Sequence, residues 1–125
     1  MARILVIDDE QNILNLVSAY LEAEGYAVHT ATDGVAGLEA AQTLQPNLIV
    51  LDIMLPDMDG YTLCKTLRTS TRTKHIPIIF LTQKDERSDK LQGLELGADD
   101  YITKPFDIEE LKLRVQNAIA RSERE

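Results

Sequence analysis

Five short apolar runs recur along the chain and alternate with longer segments of mixed polarity. The first, third and fourth runs are almost continuously apolar, which is typical of strands buried on both faces of a parallel sheet. We predict the five strands at residues 3–7, 26–30, 48–51, 76–81 and 100–103.

The segments after the first two runs have helical periodicity. Gly25 is expected to end the first helix, since glycine often follows the last helical residue. The side of this helix that faces the core is predicted to carry Ile13, Val17, Tyr20, Leu21 and Glu24. A second helix is predicted at residues 33–44, with a stripe formed by Val35, Leu38, Ala41 and Gln42.

Three further helices are predicted, at residues 61–70, at residues 84–96 and after Asp107. Asp107 is expected to act as the N-cap of the fifth helix, with Glu110 three residues later as in an acidic capping box. The apolar stripe of this last helix is formed by Ile108, Leu111, Val115 and Ile119.

Alternation of five strands with five helices predicts an α/β fold with right-handed crossovers and helices on both faces of a parallel sheet. The leading prediction is a flavodoxin-like (βα)5 three-layer sandwich with strand order 2-1-3-4-5. The 125 residues suit one compact domain, which we place at residues 1–122, with 123–125 as a tail or the start of a linker.

Composition excludes several classes of function. The formal net charge is −8, so direct binding to nucleic acid or to an anionic membrane is not expected. The chain has no apolar run of membrane-spanning length, and its first residues turn acidic too early for a signal peptide. The single cysteine, Cys64, cannot form an internal disulfide, and we expect a cytoplasmic protein.

Polar residues follow four of the predicted strands where each one ends. Asp8 and Asp9 follow the first, Asp52 the third, Thr82 the fourth and Lys104 the fifth. Ligands of such sheets bind beyond the carboxyl ends of the strands, at the switch point between the first and third strands. The sequence therefore predicts one site with three carboxylates, a hydroxyl and an ammonium group.

These groups suit the transfer of a phosphoryl group onto a carboxylate. Three adjacent carboxylates repel one another unless a cation joins them, and oxygen ligands favour Mg²⁺, with Mn²⁺ as a substitute. A carboxylate can attack phosphorus and form an aspartyl-phosphate. Lys104 and Thr82 could then bind two phosphoryl oxygens.

Each residue also has an ordinary structural explanation. Asp9 could be a helix N-cap, Thr82 an ordinary strand residue and Lys104 a solvated surface lysine. Capping explains Asp52 poorly, because no helix follows it directly. The convergence of all these groups on one sheet edge favours the functional interpretation.

The motifs of the chain resemble the CheY-like receiver domain of two-component response regulators, over nearly its whole length. The resemblance is most specific to receivers that precede a winged-helix DNA-binding domain. It is carried by the pair Asp8-Asp9, the segments 51–60 and 97–106, and the dipeptide Leu81-Thr82.

The resemblance implies a role for each site residue. Asp52 corresponds to the phosphoacceptor, which also contacts the metal. Asp9 corresponds to a direct metal ligand, Asp8 to a ligand acting through water, and the backbone carbonyl of Met54 to a further ligand.

A second group of residues is implied to carry the switch. Thr82 and Tyr101 correspond to the switch pair, although an aromatic residue in a short strand is often plain packing. Lys104 corresponds to the phosphate-binding lysine, and Lys104–Pro105 to a cis peptide bond. Gln83 departs from the family, which usually has a small residue there.

The resemblance also implies partners. A sensor histidine kinase, a phosphotransfer protein or a small phosphodonor would supply the phosphoryl group. The face made by the predicted fourth helix, fifth strand and fifth helix would then control an output domain or a partner protein. A homodimer through this face would use two charge pairs among Lys90, Glu110, Asp100 and Arg114, although Gln116 replaces a third basic partner.

Three rival functions stay open at this point. A flavin-binding electron carrier would share the fold, but it needs a first loop rich in Ser, Thr and Gly. An aspartate-nucleophile phosphatase would turn over external phosphoesters, but it needs an Asp-x-Asp pair that Asp8 and Asp52 do not provide. A pseudo-receiver would bind a partner without phosphorylation. The predicted protein catalyses only its own phosphorylation and dephosphorylation and is otherwise not an enzyme.

Overall fold

The computed structural model describes residues 1–83, 95 and 97–124. The strands are β1 (Arg3–Ile7), β2 (Ala27–Ala31), β3 (Leu48–Asp52), β4 (Ile78–Thr82) and β5 (Asp100–Thr103). The helices of the described residues are α1 (Gln11–Ala23), α2 (Gly34–Leu44), α3 (Gly60–Thr69) and α4 (Ile108–Glu123), the last being the fifth helix of the sequence prediction. Apart from Glu95, the predicted helix at 84–96 lies outside the described residues.

The five strands form one parallel sheet in the order β2-β1-β3-β4-β5. This arrangement confirms the predicted fold class and strand order. Residues of β3 and β4 are all buried, whereas β2 and β5 are partly exposed because they lie at the edges of the sheet. β4 begins two residues later than predicted, after Pro77, whose nitrogen has no hydrogen to donate to a neighbouring strand.

Helices cover both faces of the sheet, because successive strand residues point to opposite sides. On one face, Leu5 and Ile7 of β1 pack in a core with residues of α2 and α3. On the other face, Ile4 and Val6 pack with residues of α1 and α4. The molecule is therefore a three-layer sandwich with one core on each side of the sheet.

The predicted stripe on the second helix is wrong in part. α2 buries Gly34, Gly37 and Ala41, whereas the side chain of Val35 is 61% exposed. A Cβ atom on Gly37 would lie 2.6 Å from Cδ1 of Ile7, so the helix approaches the sheet along its smallest residues. Because the side of α2 that carries Gly34 and Gly37 lies against the core, Val35 points toward solvent.

The predicted start of α4 and the predicted end of α1 agree with the structure better than the α2 stripe does. Asp107 caps α4 as predicted, by accepting a hydrogen bond from the backbone N–H of Glu109. Glu110, which was expected to complete a capping box, instead accepts from Arg114 Nε at 3.2 Å. Gly25 follows α1 with φ +95°, a conformation that glycine adopts without strain. No helix among the described residues is both long and apolar enough to cross a membrane.

Candidate functional site

The carboxyl ends of β1, β3 and β5 bring the predicted charged residues together. Lys104 Nζ lies 2.9 Å from Asp8 Oδ2, 3.3 Å from Asp52 Oδ2 and 3.2 Å from Glu10 Oε1. Asp8 is completely buried and Asp52 is 4% exposed. One ammonium group thus joins acids from the ends of two adjacent strands.

Backbone hydrogen bonds fix this arrangement. The N–H of Lys104 donates to the carbonyl of Thr82 at 2.6 Å, which ties the residue after β5 to the end of β4. The N–H of Met54 donates to Asp52 Oδ1 at 3.1 Å, and the N–H of Glu10 donates to Asp8 Oδ1 at 2.9 Å. The buried carboxylates therefore have fixed orientations before any ligand binds.

Burial and charge shift the pKa values in this cluster. Burial raises the pKa of Asp52 and the charge of Asp8 raises it further, although the Met54 N–H and Lys104 oppose the shift. Burial lowers the pKa of Lys104, but its hydrogen bond to Asp8 and the charges of Asp52 and Asp8 outweigh this effect, and the net pKa is raised. Lys104 consequently remains a cation at neutral pH.

A solvent-accessible cleft of about 210 Å³ lies beside the cluster. It is lined by Asp9, Glu10, Asp52, Met54, Gln83 and Lys104. Asp9 is exposed and does not cap α1, whose N-cap residue is Glu10. The side chains that line the cleft leave room for a small ligand next to the Asp52 carboxylate.

The two predicted switch residues lie near the site in different ways. Thr82 is completely buried at the end of β4 and pairs in register with Thr103 of β5. Tyr101 is half-buried, and its hydroxyl donates to the hydroxyl of Tyr61 at 2.8 Å. Its ring also lies 5.3 Å from that of Phe80. Tyr101 therefore contacts α3 and β4.

Three predicted features remain, namely Met54, the cis peptide bond and the charge pairs expected in a dimer. Met54 follows Asp52 with its side chain 57% exposed, and it bridges to Asp59 across the loop after β3. The Lys104–Pro105 peptide bond is cis. Of the four residues expected to form charge pairs in a dimer, Lys90 lies outside the described residues. Arg114 contacts both Asp100, at 2.8 Å, and Glu110, at 3.2 Å, within the same chain.

The loop after β3 is held in place by Asp57, an acidic residue for which the sequence predicted no role. The carboxylate of Asp57 accepts hydrogen bonds from the backbone N–H groups of Gly34 at 2.7 Å and Val35 at 2.9 Å. These groups lie in the first turn of α2, where a negative charge is favourable. The two hydrogen bonds lower the pKa of Asp57. Asp57 thereby connects the loop beside the phosphoacceptor position to a neighbouring helix.

Replacing Asp57 by asparagine should lower stability in a pH-dependent way. A depressed pKa in the folded state means that the ionised form stabilises the fold at neutral pH and that this contribution is lost as pH falls through the folded pKa. We expect D57N to melt below the wild type at pH 7, and the difference to shrink below about pH 4. Thermal unfolding followed by circular dichroism from pH 7 to pH 3 measures the difference in melting temperature at pH 7 and its decrease at low pH.

The matched control is Glu39→Gln, which removes an exposed charge within α2 away from its first turn. A constant difference between D57N and wild type across this pH range would contradict the assigned role of Asp57.

Two site residues were not predicted from the sequence. Glu10 contacts Lys104, and the only sequence signal for it was its place directly after the acidic pair. Tyr61 is the hydrogen-bond partner of Tyr101 across 40 residues, and the sequence contains no signal that would identify this contact.

The donor set fits a hard divalent cation. Asp8, Asp9, Glu10 and Asp52 each have a carboxylate oxygen, and these four oxygens lie within 4.8 Å of one another. They contribute only oxygen, and Mg²⁺ prefers one or two carboxylates together with water and phosphate oxygens. The residues present are therefore compatible with Mg²⁺ and do not suit a metal that needs nitrogen or sulfur ligands.

Comparison with known proteins gives matches over nearly the whole chain. The chain is 51% identical over 124 residues to the DNA-binding dual master transcriptional regulator RpaA of Synechocystis, a match that covers 99% of this chain and 52% of that protein. It is 52% identical over 121 residues to the alkaline phosphatase synthesis transcriptional regulatory protein PhoP of Bacillus subtilis, with coverage of 97% and 50%. The chain thus spans about half the length of these relatives. Their names agree with a resemblance to receivers of transcription factors.

A solved structure gives the same fold. The receiver domain of sensor histidine kinase PA1611 from Pseudomonas aeruginosa, described with a magnesium ion coordinated in its active-site cleft, superimposes with a TM-score of 0.87 at 30% identity. The match covers 95% of this chain and 98% of that one. The family model for the response regulator receiver domain matches residues 4–116. With these matches and the acidic cluster at the sheet edge, the chain belongs to the response regulator receiver domain family of two-component signalling.

Proposed function

We propose that this receiver accepts a phosphoryl group on Asp52 in a Mg²⁺-dependent reaction, from a sensor histidine kinase, a phosphotransfer protein or a small phosphodonor. The observation that supports this most directly is the contact of Lys104 with both Asp8 and Asp52 beside an open cleft. The proposal places the reaction in the cytoplasm and assigns residues 1–122 to the receiver, with 123–125 as a tail or the start of a linker.

Asp52 is suited to be the nucleophile by its surroundings. Its two oxygens accept from the Met54 N–H and from Lys104, so the carboxylate is oriented toward the cleft wall that these groups form. A carboxylate oxygen attacks phosphorus, the bond from phosphorus to the donor's leaving atom breaks, and the electron pair of that bond leaves with the donor. Lys104 pairs with the negative charge of the transferred group.

Mg²⁺ would be held by Asp9 and Asp52, by Asp8 through water and by the carbonyl of Met54, with Mn²⁺ as a substitute. When bound, the ion would neutralise carboxylate charge and polarise a phosphoryl oxygen.

The proposed output is a change in one face of the molecule. The new phosphoryl group would bind Thr82 and Lys104, and Tyr101 would transmit the change to the face made by the predicted fourth helix, β5 and α4. This face would then alter its affinity for an output domain, a partner protein or a second copy of the chain. Such a switch is a shift between two populations, biased by contacts to the phosphoryl group.

Replacing Asp52 by asparagine is the direct test. With acetyl phosphate and Mg²⁺, intact mass should show one added phosphoryl group on the wild type and none on D52N, because the amide is not a nucleophile toward phosphorus. Without Mg²⁺, the wild type should likewise gain no phosphoryl group. Glu39→Gln, which removes an exposed carboxylate on α2, should be phosphorylated like the wild type. Wild-type labelling of D52N would refute the assignment of Asp52.

A further inference from the structure

Glu10 shares Lys104 with the two buried acids, yet it differs from them in exposure. Its side chain is 51% exposed, whereas those of Asp8 and Asp52 are 0% and 6% exposed. A lysine ammonium carries three N–H donors. The carboxylates of Asp8, Glu10 and Asp52 accept from all three of them in this structure.

A phosphoryl oxygen can therefore accept from Lys104 only if one of these carboxylates gives up its hydrogen bond. Before transfer, release of Asp8 or of Asp52 would leave a buried carboxylate without the ammonium, which is costly. Release of Glu10 costs least, because its side chain already reaches solvent and exposed ion pairs are weak.

We propose that Glu10 is a positioning residue that occupies Lys104 in the unphosphorylated protein and is displaced when Asp52 is phosphorylated. This inference rests on the proposed function of Asp52. Its consequence is that Glu10 restrains phosphorylation, because each transfer must first free one N–H of Lys104.

The position of Glu10 adds an electrostatic contribution to this restraint. Glu10 lines the cleft next to Asp52, and it also lines an adjoining groove of about 510 Å³ with Ile13, Leu16 and Phe106. A negatively charged phosphodonor that enters the cleft passes this carboxylate. Because repulsion grows with the charge of the donor, Glu10 is expected to discriminate against donors of higher negative charge.

The test compares Glu10→Gln with the wild type using two small donors. Glutamine keeps the size of the side chain and an acceptor oxygen but removes the charge. We expect E10Q to be phosphorylated by acetyl phosphate roughly twofold to fivefold faster, the range of an exposed charge interaction. The gain should be smaller with phosphoramidate, which carries less net negative charge, and it should shrink at high salt. Glu39→Gln should change neither rate.

Several outcomes would overturn the inference. One is an unchanged E10Q rate in a protein that is phosphorylated on Asp52. An equal gain with both donors would overturn the electrostatic contribution, because release of Lys104 alone accelerates both reactions equally. Slower phosphorylation of E10Q with weaker Mg²⁺ binding would make Glu10 a metal ligand instead. Glu10→Ala should accelerate the reaction in the same direction, and a slower E10A would count against the inference. A wild type that takes no phosphoryl group would refute the proposed function itself.

Discussion

Replacement of Gly60 by alanine is expected to destabilise the protein by roughly 2–3 kcal/mol and to slow phosphorylation of Asp52. A Cβ atom at this position would lie 2.6 Å from the carbonyl oxygen of Asp52 and 2.7 Å from Cα of Ile53. Both are backbone atoms, so no flexible side chain can move aside. The Gly60 N–H also donates to the Ile53 carbonyl at 2.7 Å, which holds α3 against the end of β3. The added methyl group must therefore displace the segment that carries the nucleophile.

Gly25→Ala is the matched control for this variant. Gly25 has φ +95° and no atom within 4 Å of an added Cβ, so alanine there costs only backbone strain of about 1 kcal/mol. Urea unfolding gives the two stabilities, and acetyl phosphate labelling gives the two rates. G25A should be phosphorylated at the wild-type rate. If G60A is as stable as G25A and is phosphorylated equally fast, the close approach of α3 to β3 does not constrain the site.

The fold could be predicted from the sequence because its strongest signals are local. Residues 3–7 and 48–51 are almost continuously apolar, and few environments other than the middle of a parallel sheet bury both faces of a strand. Alternation with helical segments then restricts the topology, because parallel strands need crossover helices of one handedness. The structure has the predicted order for this reason.

The packing of α2 could not be predicted in the same way. Hydrophobic periodicity favours Val35 as a core residue, but the structure buries Gly34 and Gly37 instead. Glycines give no hydrophobic signal, and their value here lies in how closely the backbone can approach Ile7. That distance depends on the assembled sheet and is not encoded in the local pattern.

The site likewise has some features that local sequence patterns predict and others that depend on tertiary packing. Asp8, Asp52 and Lys104 could be placed together, because each lies at the end of a strand or directly after it, and parallel strands end at one edge. The contact of Glu10 with Lys104 depends on which way a loop side chain turns. The Tyr61–Tyr101 hydrogen bond depends on the position of α3 against β4 and β5. Strand ends are thus predictable from the sequence, whereas contacts made by loops and helices need the tertiary structure.

Replacement of Lys104 by methionine is expected to destabilise the metal-free protein by about 3 kcal/mol, near the lower end for breaking a buried ion pair. Methionine fills much of the same volume, so the loss is mainly electrostatic. The variant leaves Asp8, which is completely buried, and Asp52, whose side chain is 6% exposed, without their cation. The cleft beside Asp52 admits water, which is the reason to expect the lower end of the range.

Three comparisons separate this cause from a loss of packing. Lys65→Met changes an exposed lysine on α3 and should alter stability by less than about 0.5 kcal/mol. The double variant K104M/D52N should recover much of the lost stability, because asparagine removes one of the two unpaired charges. Mg²⁺ should stabilise K104M, since it supplies positive charge to the same carboxylates.

The pH dependence gives an independent check on K104M. The pKa of Asp52 is already raised by burial, and loss of Lys104 removes an interaction that lowers it. An acid with a raised folded-state pKa binds its proton more tightly in the folded state than in the unfolded state. Stability is therefore gained as pH falls through that folded pKa toward the lower unfolded pKa, and this gain should be larger in K104M than in the wild type. A K104M variant that unfolds like K65M at every pH would show that Lys104 does not hold the two carboxylates together.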